Sequence, residues 1–492
     1  MTQTSSSRAQ ALPRSTPAEQ LLDPAGVIKF LEAVAEEDLE LHSLMVLRHG
    51  QVLTEGWWAP YAPDQVHLLY SLSKSFTSTA LSFAVDEGLV SLDDVALDVF
   101  GLDPAGYDPV FGRLTVRHVA SMATGHTEDT LERAYLAAIA AAGSPDAPFD
   151  LVPALFTVVP DAEPGTVFAY NNGATFLLAA MIQKLAGQGL TEYLRPRLFE
   201  PLGIDRAKWA LDPLGREMGF SGLHLTTEAI ASLGQLYLNG GSFAGRQLLD
   251  PGWVDQATSV QVRNDGRDSD PDWECGYGFQ FWMARHGYRG DGAYGQFCLV
   301  LPEVDGVVAI TSATERMQAV LDAAWEHLLP AYLDEPPTGP DRSEELTERL
   351  NSLQLPPVRT VIPPADPLQS VRFEAGVDNA AFPALQGFSV TASGVGWLLD
   401  LDLDGTRATI TAGDGQWKPG QLPGHSGLEV GVQASAGWTA DGQFTIELIM
   451  IDTPHRVRIT GEQGELRTAW NVAPLSASDP THLGVADTLQ RP

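Results

Sequence analysis

Apolar positions recur at helical spacing from Pro24-Ala25-Gly26 through Ile28, Phe30, Leu31 and Val34, predicting a first helix. Leu44-Met45-Val46-Leu47 and Gln51-Val52-Leu53-Thr54 then read as two strands around a tight His49-Gly50 turn. A long apolar helical stretch opens at Ser71 and runs through Leu81, Phe83, Ala84 and Val85 to Gly88, a good residue to close a helix. A short helical rhythm over 114–125 ends at Gly125, an Ala-rich helix covers 128–142, and a proline-punctuated insertion covers 143–160. An apolar helix over 174–186 stops at Gly187, and another over 226–238 closes on Asn239-Gly240-Gly241. Gly276 to Trp282, Phe297 to Leu301 and Val307 to Thr311 read as strands. With Asp305-Gly306 in the last turn they form an antiparallel meander, followed by a helix over 315–333.

The pattern then changes. Prolines crowd residues 336–370 around one polar helix at 343–354, which reads as a linker. Beyond it the period is two: Leu399, Leu401 and Leu403 alternate with Asp400, Asp402 and Asp404, and further strands follow at 444–450 and 457–460. The aspartates and Gly405 match the opening of a calcium loop, but its twelfth position is Thr411, which offers no bidentate carboxylate. Strand alternation accounts for them as a solvated face. The expected organisation is a disordered tail (1–18), a mixed helix-and-sheet domain (19–335), the linker (336–370), a small β domain (371–475) and a second tail (476–492).

With 492 residues, 30 basic against 63 acidic, the net charge is −33, which argues against nucleic acid or an anionic membrane as partner. No secretion signal and no membrane-spanning segment is read, so a cytoplasmic protein is expected. Cys275 and Cys298 are too few for a disulfide framework. His118 fits the apolar register of its short helix, and neither it nor His126 has a Cys, Asp or Glu at ligand spacing. No metal and no cofactor is expected. The sequence is silent on protein partners.

Chemistry concentrates in two polar stretches. In Tyr70-Ser71-Leu72-Ser73-Lys74-Ser75-Phe76, Ser71 and Lys74 are spaced to share one helix face. A serine hydroxyl needs a base, and a lysine desolvated enough to lose its proton can be that base. The second stretch, Ala169-Tyr170-Asn171-Asn172-Gly173, places a tyrosine hydroxyl and a carboxamide two residues apart on a loop ahead of a helix. Tyr237-Leu238-Asn239 repeats that spacing at a helix end, where Tyr237 reads as packing and Asn239 as a cap.

Ser71-x-x-Lys74, Tyr170-x-Asn172 and a glycine-bearing hairpin, in this order, resemble the penicillin-recognising serine hydrolases, and within them the beta-lactamase-related family of lactamases, esterases and D-aminopeptidase-like enzymes. Residues 114–125 and Gly222-Leu223-His224-Leu225-Thr226-Thr227 add to the likeness, which spans about residues 27–333. It implies an α+β, beta-lactamase/transpeptidase-like fold, an antiparallel sheet flanked by helices beside an all-helical region, here followed by an all-β accessory domain. It also implies a serine hydrolase that cleaves a small ester or amide through an acyl-enzyme. Ser71 would be the nucleophile, Lys74 its base and Tyr170 a proton carrier, with Asn172, Gly295 and Gln296 on the substrate. The N–H groups of Ser71 and Gln296 would form the oxyanion hole. The family's third motif begins with Lys or His, whereas this chain has Ala293-Tyr294-Gly295. That departure argues against a lactam-destroying enzyme and leaves Arg289 as a candidate replacement charge. The alternative is a catalytically inactive ligand-binding protein on the same scaffold.

Overall fold

The computed structural model describes residues 12–144, 147–266, 270–362, 370–394 and 396–486. Six antiparallel strands form the main sheet in the order Gln51–Trp57, Leu41–Arg48, Gly306–Ser312, Gln296–Leu301, Tyr288–Gly292 and Trp282–Met283. The three central strands are buried along their whole length, so alternate residues feed two cores. Leu44, Val46, Leu299 and Ile310 face the helix Pro24–Glu36 and the chain's later helix Met317–Ala323. Met45, Leu47, Val300 and Val307 face the opposite way, toward the helices Ser73–Asp86 and Thr227–Leu238 and the larger helical region beyond them.

The helix Ser73–Asp86 is buried from Ser73 to Ala84 although half of its residues are polar. Its hydroxyls therefore need internal partners. Thr77 Oγ1 donates to Gly219 O (2.8 Å), Ser75 Oγ to Gln280 O (2.9 Å) and Ser78 Oγ to Phe279 O (2.7 Å). These bonds explain why the expected strand from Gly276 to Trp282 is realised only at Trp282–Met283. The backbone of 279 and 280 serves the helix's hydroxyls instead of a neighbouring strand, and Gln280 sits at φ +62°.

After residue 370 an eight-stranded barrel follows, from Val371–Ala375 to Glu465–Trp470, closed where Gly413 pairs with Ser435; Lys418–Pro423 pairs outside the ring. Phe388, Leu399, Leu401, Ile446, Leu448 and Ile459 fill it, while Asp400 and Asp402 point outward, as the alternation predicts.

The segments expected to be loose are tied down where they are described. Leu12 is buried, Arg14 pairs with Glu55 (2.9 Å) and Glu228 (2.7 Å), and Ser15 N donates to Val52 O; residues 1–11 lie outside the described residues. The polar linker helix, Ser343–Asn351, seats Leu346 in the core beside Phe30, and Leu355 N donates to Ala59 O. In the last segment Asp479 is buried and accepts from Ala384 N (2.7 Å). Long-range partners of this kind leave no local trace in composition. Among the described residues no helix is long and apolar enough to cross a membrane.

Candidate active site

Ser71 lies on a single 3₁₀ turn, Tyr70–Leu72, that feeds directly into the helix Ser73–Asp86. Lys74 therefore occupies the helix's first turn, its side chain 2 % exposed. Its Nζ lies 2.9 Å from Ser71 Oγ, and donates to Asn172 Oδ1 (2.7 Å) and to the carbonyl of Phe220 (2.9 Å). A neutral amine has two protons and one lone pair. With both protons spent on Asn172 and Phe220, the lone pair is left facing the serine hydroxyl. Burial lowers the lysine's pKa from 10.5 to about 7, against the pull of Asp129 and Asp291.

Asn172 is the first residue of the helix Asn172–Ala186, whose cap is Asn171, rather than a loop residue ahead of it. Its orientation is set from outside. Asn172 Nδ2 donates to Asp129 Oδ2 (2.7 Å), and a carboxylate only accepts, so Oδ1 must turn to Lys74. The other oxygen of Asp129 accepts from the N–H groups of Asn172 (3.0 Å) and Leu131 (3.0 Å). Sequence reading missed Asp129. The only local signal is a Thr-Glu-Asp-Thr run ahead of a helix, and its partner is 43 residues away. Asp129→Asn should move the acid limb of the pH–rate profile to lower pH, because removing a negative charge disfavours the ammonium form of Lys74. It should also cost about tenfold in kcat through the freed amide. Initial rates of ester hydrolysis against pH check both.

Tyr170 stacks on Trp282 (centroids 5.3 Å, 19°), and its ring lies beside Lys74, 4.8 Å from Nζ to the centroid. Burial and the nearby Asp291 raise its pKa, so it stays a protonated donor. Arg289 pulls the other way without overcoming them.

The strand Tyr288–Gly292 runs against the turn that carries Ser71. A side chain at Gly292 would put a Cβ 2.0 Å from Leu69 O, and one at Gly290 would collide with Leu72 and Ser75. Only glycine permits this approach. Gly295 and Gln296 are not brought to the serine in this way. Gly295 packs on Ser312, and the Gln296 carboxamide donates to Ala293 O (3.0 Å) and Ser312 O (2.7 Å). Ala293 directly follows Gly292, whose backbone lies against Leu69 and Leu72. The N–H groups of Ser71 and Ala293 donate to no other backbone group among the described residues.

Arg289 points inward and is fully buried, but its charge is spent locally. Nε pairs with Asp291 (2.9 Å), Nη1 donates to Asp272 O (2.8 Å), and the guanidinium lies 4.4 Å from the Trp273 ring centroid. Burial in turn pushes the Asp291 carboxyl up. Arg289→Met should destabilise the fold by about 3–5 kcal/mol, since it leaves Asp291 buried without its counter-ion. Urea denaturation at neutral pH measures this.

His118 and His126 are structural. His118 completes a capping box with Thr115, and His126 bonds Thr124 and Val158 O. Tyr237 is buried with its hydroxyl on Thr79, Asn239 caps its helix, and both cysteines are free.

A sequence model of the beta-lactamase family matches residues 32–333. The chain belongs to the beta-lactamase family. It is 28% identical over 314 residues to a 6-aminohexanoate-dimer hydrolase of Paenarthrobacter ureafaciens, covering 59% of this chain and 79% of that one. Among solved structures it resembles a putative beta-lactamase from Bacteroides dorei (TM-score 0.51, 15% identity, 63% of this chain and 99% of that one). It also resembles EstCE1, a hydrolase with promiscuous acyltransferase activity (TM-score 0.50, 16% identity, 61% and 98%). The family match ends at residue 333, so the barrel of this beta-lactamase-related hydrolase lies wholly outside it.

Proposed function

We propose that the protein is a serine hydrolase that cleaves an ester or amide bond through an acyl-enzyme on Ser71. The observation that carries this reading is Lys74 Nζ, with two protons held by carbonyl-type acceptors and its lone pair 2.9 Å from Ser71 Oγ. Lys74 takes the serine proton as Oγ attacks the substrate carbonyl. The resulting oxyanion is met by the N–H groups of Ser71 and Ala293, which the turn and the strand fix before substrate arrives. The proton returns through Tyr170 to the leaving alcohol or amine. Water then attacks the acyl carbonyl, giving up its proton along the same path, and frees Ser71. Asn172 acts by aiming Lys74, with Asp129 behind it.

The relative named as a 6-aminohexanoate-dimer hydrolase supports keeping amides beside esters in the proposed substrate class. Intact-mass analysis after rapid acid quench of the protein with a p-nitrophenyl ester tests the reading. An acyl adduct mapped to the peptide carrying Ser71 is expected. A ligand that stabilises the protein but leaves no adduct and no product would return the inactive binding protein as the answer.

A further inference from the structure

Two residues flank the backbone donors of the site. Tyr70 precedes Ser71 and Tyr294 follows Ala293. Both are non-glycine residues in the left-handed region, at φ +48° and φ +66°. A side chain pays for that conformation, so something must hold it there. Their rings meet edge to face (5.5 Å, 73°), and each also meets the ring of His455 (5.8 and 5.7 Å). His455 belongs to the barrel, on the turn between the strands Phe444–Met450 and Arg456–Glu462, and is fully buried.

The hydrogen bonds have a fixed direction. His455 Nδ1 lies 2.9 Å from Val472 O, and a carbonyl only accepts, so Nδ1 carries the proton. Nε2 is then an acceptor, and the Tyr70 hydroxyl donates to it at 2.6 Å. The Tyr294 hydroxyl donates to Ala473 O, from the segment just after the barrel's last strand. Leu68, Tyr70, Tyr294, Ala313 and Val472 form one small apolar cluster around these bonds.

We propose that the C-terminal barrel completes the active site: His455 through Tyr70, and Ala473 through Tyr294, hold the two backbone segments whose N–H groups receive the oxyanion. His455 is a positioning residue, since it touches Tyr70 and not the substrate. This rests on the acyl-enzyme reading above, and extends it to a domain that the family match does not reach.

The test is the single-turnover acylation rate with p-nitrophenyl acetate for the full-length protein, together with kcat, KM and melting temperature. Tyr70→Phe keeps the ring packing and removes only the hydroxyl, which donates to His455 Nε2 (2.6 Å) and accepts from Leu475 N (3.5 Å). It should acylate about ten- to a hundredfold more slowly, with KM within about twofold and the melting temperature little changed. His455→Ala should match that acylation rate at a lower melting temperature, since it also loses the ring contacts and the bond to Val472 O, and the double variant should acylate no more slowly than His455→Ala, because both remove the Tyr70–His455 bond. His455→Gln, which can still accept from Tyr70, should recover most of the rate. Wild-type acylation rates in Tyr70→Phe and His455→Ala would overturn the proposal, as would a His455→Gln variant as slow as His455→Ala. If the wild type itself forms no adduct, the acyl-enzyme reading fails and this inference with it. If the wild type is acylated and Tyr70→Phe is acylated equally fast, only the role of the barrel fails.

Discussion

Ser71→Ala is expected to lower turnover of an activated ester by on the order of 10⁶-fold and to abolish covalent labelling by a fluorophosphonate. The size follows from what the substitution removes and what it leaves. The bond-forming oxygen goes, and with it the hydroxyl that faces the Lys74 Nζ lone pair at 2.9 Å. The two backbone N–H groups, the Asn172–Asp129 pair and Tyr170 all remain, so the variant should still bind substrate. Its KM measured on residual activity, or its affinity for an unreactive analogue, should change little. The fold has no stake in the hydroxyl, which is half-buried and bonded only within the site, so the melting temperature should hold. Steady-state rates, gel labelling and thermal unfolding on one preparation check all three. Equal labelling of wild type and Ser71→Ala would refute the assignment of the nucleophile.

The parts of this site that could be read in the sequence are those whose geometry is local. Ser71 and Lys74 need only one turn of helix to meet, and Tyr170 and Asn172 need only a helix start. Four strands of the main sheet are legible because they run apolar between turn residues, whereas the glycine-bearing strand Tyr288–Gly292 carries no such pattern and the expected strand over 276–282 forms only at Trp282–Met283. What could not be read depends on partners far along the chain. Asp129 acts on Asn172 across 43 residues and His455 on Tyr70 across 385; only a short Thr-Glu-Asp-Thr run marks the first, and nothing around it marks the second. The third motif shows how spacing alone misleads. Gly295 sits at the family's offset in a small-residue run, yet the close approach to the Leu69–Ser75 segment is made by Gly290 and Gly292. The missing cation is likewise explained by structure. Arg289 is buried behind that strand and compensated by Asp291, so it brings no free positive charge to a substrate carboxylate.

Lys74→Arg is expected to lose about 10²–10⁴-fold in kcat at every pH at which the wild type works. The substitution keeps a positive charge and the ability to donate to Asn172 and Phe220, but a guanidinium does not release its proton in a protein. A lysine that acted only as a fixed charge would be replaced tolerably well by arginine, whereas a base would not. The wild-type profile supplies the second half of the argument. The active form is the neutral amine, so kcat/KM should be low in acid, rise through a midpoint at about pH 7 and reach a plateau above it. Tyr170 adds no falling limb below its ordinary value of 10.0, because burial raises its pKa and keeps it protonated across that plateau. The residual activity of Lys74→Arg should show no rising limb near neutrality. A profile that kept its midpoint in Lys74→Arg would assign the titration to another group and take the base away from Lys74.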